Sequence, residues 1–248
     1  MKLKTDVNIR DEKGNTALHC EENKETVKFL IQSGLNVNEK NEFGFTPLFY
    51  TKSKEIAELL IQAGADVNAT NISGSTPLFY AQSKEIAELL IQAGADVNTK
   101  NKYGTTPLFS AKSKEITELL IQAGADVNAQ NNYRNTPLFF AKSKEIAEIL
   151  IQAGADVNTR DKNGNTAIHW NRNSEIIELL IFQSSLDVNV QNNNGQTPAE
   201  FHRGYANDDL ANFIEQKAFE KATMFEQEKL NQTLPTSSKN LNKTKLHL

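Results

Sequence analysis

The chain has 248 residues, 38% of them hydrophobic and 23% charged, the balance of a water-soluble chain, and its net charge of −4 lacks the basic excess of a nucleic-acid surface. One cysteine, Cys20, excludes an internal disulfide framework and fits a reducing compartment. No apolar run follows the lysines of "MKLKTDVNIR", and no segment approaches the roughly 18 apolar residues that span a bilayer. Neither a cleaved secretory signal nor membrane insertion is expected.

Residues Lys4–Arg10 read as the closing arm of a unit without its helices. A thirty-residue period follows, with Thr16, Thr46, Thr76, Thr106, Thr136 and Thr166 opening the same phrase; Thr197, displaced by one inserted residue near Ser184, opens a shortened copy. A fixed period in this range signals a solenoid whose units bury their apolar faces only against neighbours. The predicted units are 11–40, 41–70, 71–100, 101–130, 131–160 and 161–191, then a C-terminal cap over 192–231 and a basic, disordered tail over 232–248.

Unit 71–100 shows the physics. Asn71-Ile-Ser-Gly74 is turn chemistry, with glycine supplying a positive φ. Thr76 suits an N-cap and Pro77 the first helical position of a short helix, about Pro77 to Ala81. Ser83 caps a second helix, with Glu85 in its first turn and an apolar stripe of Ile86, Leu89, Leu90 and Ile91. Gly94 is its left-handed C-terminal cap, and Asp96-Val97-Asn98 forms the arm of a short hairpin.

The phrase "GSTPLFYA…SKEIAELLIQAGADVN" resembles the ankyrin repeat over roughly residues 6–215. The resemblance implies an all-α solenoid of stacked helix–turn–helix units with short β-hairpin turns: six full repeats plus partial terminal caps. Two departures stand out. Three residues and the family's Gly-His turn are missing between the helices, against a usual unit of about 33 residues. Phe49, Phe79, Phe109 and Phe139 replace the family histidine that His19 and His169 keep, and these phenylalanines read as core.

At the ends, Glu21, Glu22, Thr26 and Lys28 give the first unit the polar face of a terminal cap. A last long helix starts at Asp208 or Asp209, carries Leu210, Phe213, Ile214 and Ala218 on one side, and is stopped by Pro235.

Chemistry for catalysis is missing from the pattern. His19 and His169 occupy the structural position of the family, and Cys20 beside His19 diverges from it on a helix. No Cys/His cluster has zinc-site spacing, and Gly-Ala-Asp is a helix cap, not a phosphate loop. The carboxylates Glu55, Glu85, Glu115 and Glu145 should line an exposed face, with pairs such as Lys84 and Glu88 as weak surface contacts. No cofactor, metal or enzymatic activity is expected.

Residues that vary while the frame repeats mark a candidate surface. Along the tips these are Glu42, Phe43, Phe45, Ile72, Lys102, Tyr103, Tyr133, Arg134 and Lys162. Along the short helices they are Tyr50, Tyr80, Phe140 and Trp170, with Ser110 between. Aromatic and arginine side chains are common interface anchors. The Tyr80 row has two readings, packing between adjacent short helices or facing a partner. Arg134 takes the place of the turn glycine, marking a contact or drift.

The resemblance implies a non-enzymatic module that binds a protein partner through its concave and hairpin face, as scaffold, adaptor or inhibitor. A monomer is expected, and the single cysteine with no secretory signal or apolar span reads as cytoplasmic. The Asn-, Lys- and Ile-rich wording points to a microbial, bacterial-type source. That source would admit an effector delivered into a host cell or a toxin-immunity inhibitor, both by analogy alone.

Overall fold

The computed structural model describes residues 9–183 and 185–233. The chain divides into two compact units, one ending at Lys162 and one beginning at Asn163. The N-terminal arm lies outside the described residues except for Ile9 and Arg10, and so does the tail from residue 234 onward.

In the first unit, Ala17–Cys20 and Lys24–Gln32 precede four near-copies: Pro47–Tyr50, Pro77–Tyr80, Pro107–Ser110 and Pro137–Phe140, each followed by a nine-residue helix, the last being Lys144–Gln152. Among the described residues no strand forms, and the expected hairpins are paired turns. Neighbouring tips are nevertheless tied by one backbone bond each. The N–H groups of Ile72, Lys102, Asn132 and Lys162 donate to the carbonyls of Phe43, Ser73, Tyr103 and Tyr133 at 2.9–3.0 Å.

Each tip is organised by the asparagine that opens it. Asn71 Oδ1 accepts from the N–H groups of Ser73 and Ser75, both at 3.0 Å, and its carbonyl accepts from Gly74 at 2.9 Å. Asn41, Asn101 and Asn131 do the same in their copies. Glycine is needed here twice over: Gly104 has φ +74, and a Cβ on it would sit 2.9 Å from the backbone nitrogen of Asn132. Arg134 adopts φ 67 at the equivalent place, a left-handed conformation that costs a side-chain-bearing residue about 1 kcal/mol.

The short helices form in two ways. Ala17–Cys20 and Ala167–Trp170 are α-helical turns, whereas the four Pro-led segments are 3-10 turns ending at Tyr80 and its equivalents, one residue short of expectation. Proline is not the cause, because Pro198–Gly204 is α-helical. The difference lies at the third helical position. His19, His169 and Glu200 bond back to the capping threonine. Phenylalanine cannot, and Thr46, Thr76, Thr106 and Thr136 have buried hydroxyls with no partner. Thr76 therefore stands at the N-cap without acting as one.

The long helices follow expectation more closely. Ser83 Oγ accepts from Ile86 N–H at 3.4 Å, and Gly94 at φ +92 ends the helix with Ala95 N–H bonded to Leu90 O at 2.9 Å. The buried stripe is Ile86, Ala87 and Leu90, while Leu89 and Ile91 are only half-buried. The alanine is fully buried, and Thr117, its replacement one unit on, satisfies its buried hydroxyl on Ser113 O at 2.9 Å. Asn68 then spans to the next copy: its amide donates to Gly94 O at 2.9 Å and its oxygen accepts from Asp96 N–H at 3.0 Å. Asn38, Asn98 and Asn128 repeat that clamp.

The second unit packs Ala167–Trp170, Ser174–Ile181, Pro198–Gly204 and the 26-residue helix Asp208–Thr233 around Ile168, Ile177, Leu180, Ile181 and Ile214. In that helix Leu210, Ala211 and Ile214 are buried, while Phe213 and Ala218 are half-exposed. No Gly caps Ser174–Ile181; instead the Lys221 ammonium donates to Gln183 O at 2.8 Å and Leu186 O at 2.9 Å.

Candidate functional site

The tip turns present their second and third residues outward because the first is used as the organiser. Phe43, Ile72, Tyr103 and Tyr133 are exposed, the two tyrosines at 61% and 63%. Glu42, Lys102, Arg134 and Lys162 are exposed beside them. The turn backbone itself is held by the asparagine and not by these side chains.

Phe45 behaves differently. It is half-buried, and its ring centroid lies 5.1 Å from Phe49, 5.5 Å from Tyr50 and 5.4 Å from Tyr80. That cluster welds two adjacent copies and is a packing feature more than a free surface.

The short-helix row proves to be both packed and open. Tyr80 stacks edge-on against Phe49 at 5.6 Å and Phe140 lies 5.8 Å from Phe109, yet Tyr80 keeps 37% of its surface and Phe140 more. Tyr50 and Tyr80 hydroxyls each accept from the tip asparagine of their own copy, Asn41 and Asn71, at 3.0 Å. In these two copies the tip and the short helix are thus joined by a direct bond. At Ser110 the row lacks a ring, and among the described residues Phe79 has no ring stacked on it. Phe79 and the other three phenylalanines are buried core.

In the second unit Trp170 is exposed and pairs with Phe201 at 6.0 Å, and Phe201 with Tyr205 at 5.0 Å. With Arg172 they line a pocket. The sequence reading missed Phe201 and Tyr205; the available signal was that Phe201 stands four residues after Thr197, in register with Trp170 after Thr166.

The titratable groups serve the frame. His19 Nε2 faces Phe45 O at 3.0 Å and so carries the proton, leaving Nδ1 to accept from Thr16 N–H and Oγ1–H, both at 3.0 Å. Burial lowers the pKa of His19, and of His202, whose Nε2 lies 3.2 Å from Ile168 O. Glu85 and Glu115 are held below the usual carboxylate range by their own amides and then by Ser83 and Ser113; for Glu145 the Ser143 contact leads. A general acid needs the opposite shift. Lys54, Lys114 and Lys144 pair with the glutamate four residues on at 3.7–3.9 Å, but Lys84 and Glu88 do not reach ion-pair distance. Among the described residues no group of three His, Cys, Asp or Glu side chains could hold a metal, and no helix is long and apolar enough to cross a membrane.

Comparison with known proteins agrees with the geometry. No curated protein sequence matches the chain. The family model for ankyrin repeats in three copies matches residues 1–71, 50–131, 81–161 and 109–192. Among solved structures, the ankyrin repeat domain of Bcl-3, described as a unique member of the IkappaB protein family, is similar at 26% identity and a TM-score of 0.61, over 80% of this chain and 99% of that one. The thirty-residue units, their Asn clamps and the family match over residues 1–192 together show that the chain belongs to the ankyrin-repeat family.

Proposed function

We propose that the chain is a non-enzymatic binding module that holds a protein partner on the tip and short-helix surface of its first unit. Ankyrin repeats generally mediate protein–protein interaction, which supports the coarse reading. The anchors assigned are Phe43, Ile72, Tyr103 and Tyr133, flanked by Glu42, Lys102, Arg134 and Lys162, with Tyr50, Tyr80 and Phe140 behind them. Trp170 belongs to the separate aromatic pocket of the second unit, and Phe45 supports its neighbours.

The observation that carries the reading is the exposure of phenylalanine, isoleucine and tyrosine on turns whose geometry depends on other residues. Exposed apolar groups of this kind in one row mark interaction surfaces. Replacing Phe43, Tyr103 and Tyr133 together with Ser tests it. Partner capture should be lost while helical circular dichroism and the melting temperature stay unchanged. A steep fall in melting would make these rings structural and end the assignment.

A further inference from the structure

Charge on this surface is unevenly compensated. Residues 101–160 contain six acids, and every one lies on a long helix or the loop after it. Glu118 and Glu148 pair with lysines of their own helices, Glu115 and Glu145 accept from their own amides and cap serines, and the two aspartates accept from backbone N–H groups two residues on. By contrast, Lys102 and Arg134 on the tips, and Lys112 and Lys142 just after the short helices, have no carboxylate within ion-pair distance among the described residues. All four are exposed, and along the chain they are interspersed with the exposed rings of Tyr103, Tyr133 and Phe140.

In a chain whose net charge is −4, four uncompensated, exposed cations on the tips and just after the short helices of two successive copies need a reason. Frame stability does not supply one, since surface cations without partners contribute little. We infer that the edge formed by the tips and short helices of residues 101–160 takes an acidic polypeptide segment carrying apolar or aromatic anchors. This rests on the reading of that face as the binding surface. The rings desolvate the anchors, and the cations meet carboxylates at the rim, where complementary charge governs on-rate and choice of partner. A nucleic acid fits less well, because its dense phosphates reward a larger cationic footprint than four side chains in a net-acidic chain.

The test uses the full chain and a fluorescein-labelled synthetic peptide alternating Glu with Phe and Leu, read by fluorescence anisotropy. Its controls are the same peptide with Gln for Glu, with Lys for Glu and with Ser for the anchors, and an oligothymidylate. The acidic aromatic peptide should bind, weaken as salt rises and exceed every control. Lys112→Glu with Lys142→Glu should weaken it at least about tenfold without moving the melting temperature. Equal binding of the Gln peptide, equal or tighter binding of the oligonucleotide, or no binding up to about 1 mM overturns the inference. If the peptides bind regardless of charge and Tyr103→Ser with Tyr133→Ser abolishes this, the acidic preference falls and the surface stands. If neither the lysine nor the tyrosine variants change binding, both fall.

Discussion

Nδ1 of His19 stands 3.0 Å from Oγ1 of Thr16, closing a polar ring around the start of a short helix. Four copies write phenylalanine in place of that histidine, and each leaves the matching threonine hydroxyl buried and unbonded. The protein keeps four orphaned hydroxyls beside four buried phenylalanine rings, of which Phe49 and Phe109 also pack against neighbouring aromatics.

Removing an orphan should help. Thr76→Val, isosteric and without a lost bond, should stabilise by about 1 kcal/mol, whereas Thr16→Val should destabilise by a similar amount. Urea denaturation midpoints of the two variants should move in opposite directions. Phe79→His should turn the 3-10 segment Pro77–Tyr80 into an α-turn, visible as an imidazole resonance bonded to the Thr76 amide.

Buried histidines make stability depend on pH. His19 and His202 have pKa values lowered from 6.5, burial being the first cause. Above about pH 6.5 both folded and unfolded chains hold them neutral, and their contribution is fully present. As pH falls below 6.5 the unfolded chain takes up protons that the folded chain resists, so stability declines until the folded pKa values are passed. Denaturation midpoints at about pH 7.5 and about pH 5.5 should show the drop, and His19→Phe should reduce it.

The asparagine clamp depends on a donor. Asn98 Nδ2 donates to Gly124 O at 2.9 Å, while its oxygen accepts from Asp126 N–H. Asn98→Ala should cost about 1–2 kcal/mol in thermal or urea unfolding. Asn98→Asp should cost more near neutral pH, because a carboxylate oxygen would face the carbonyl, and should recover as the carboxylate is protonated.

Arg134→Gly relieves the left-handed strain and should stabilise by up to about 1 kcal/mol. Partner affinity should fall at the same time if the guanidinium meets the partner, a split that calorimetric unfolding and binding measurements on one variant resolve.

What could be read from the sequence was what a unit decides alone. Ser83 as cap, Ile86 and Leu90 as stripe, and Gly94 as stop depend on residues within one turn of each other, so local rules reach them. The Tyr80 row could not be placed, because its stacking partner Phe49 belongs to the preceding copy. Leu89 and Ile91 are less buried than the stripe suggests for the same reason: the depth of burial depends on the neighbouring copies. The 3-10 form of Pro77–Tyr80 follows from a hydrogen bond that phenylalanine cannot make, and a helix-cap rule written for threonine alone does not see its third-position partner. Exposed tip side chains were legible as letters that change; their outward direction required the Asn71 turn.

The backbone of those tips has a consequence for how the surface can change. Phe43, Tyr103 and Tyr133 each give their N–H to the tip asparagine and their carbonyl to the next tip. Their main chains are wholly occupied in register, and their side chains carry none of it. Almost any residue but proline is therefore interchangeable at these three positions, so drift or a combinatorial library could rewrite recognition without renegotiating the fold. Proline at Lys102 would mark the boundary of that freedom, since it deletes a rung and should cost about 1–3 kcal/mol.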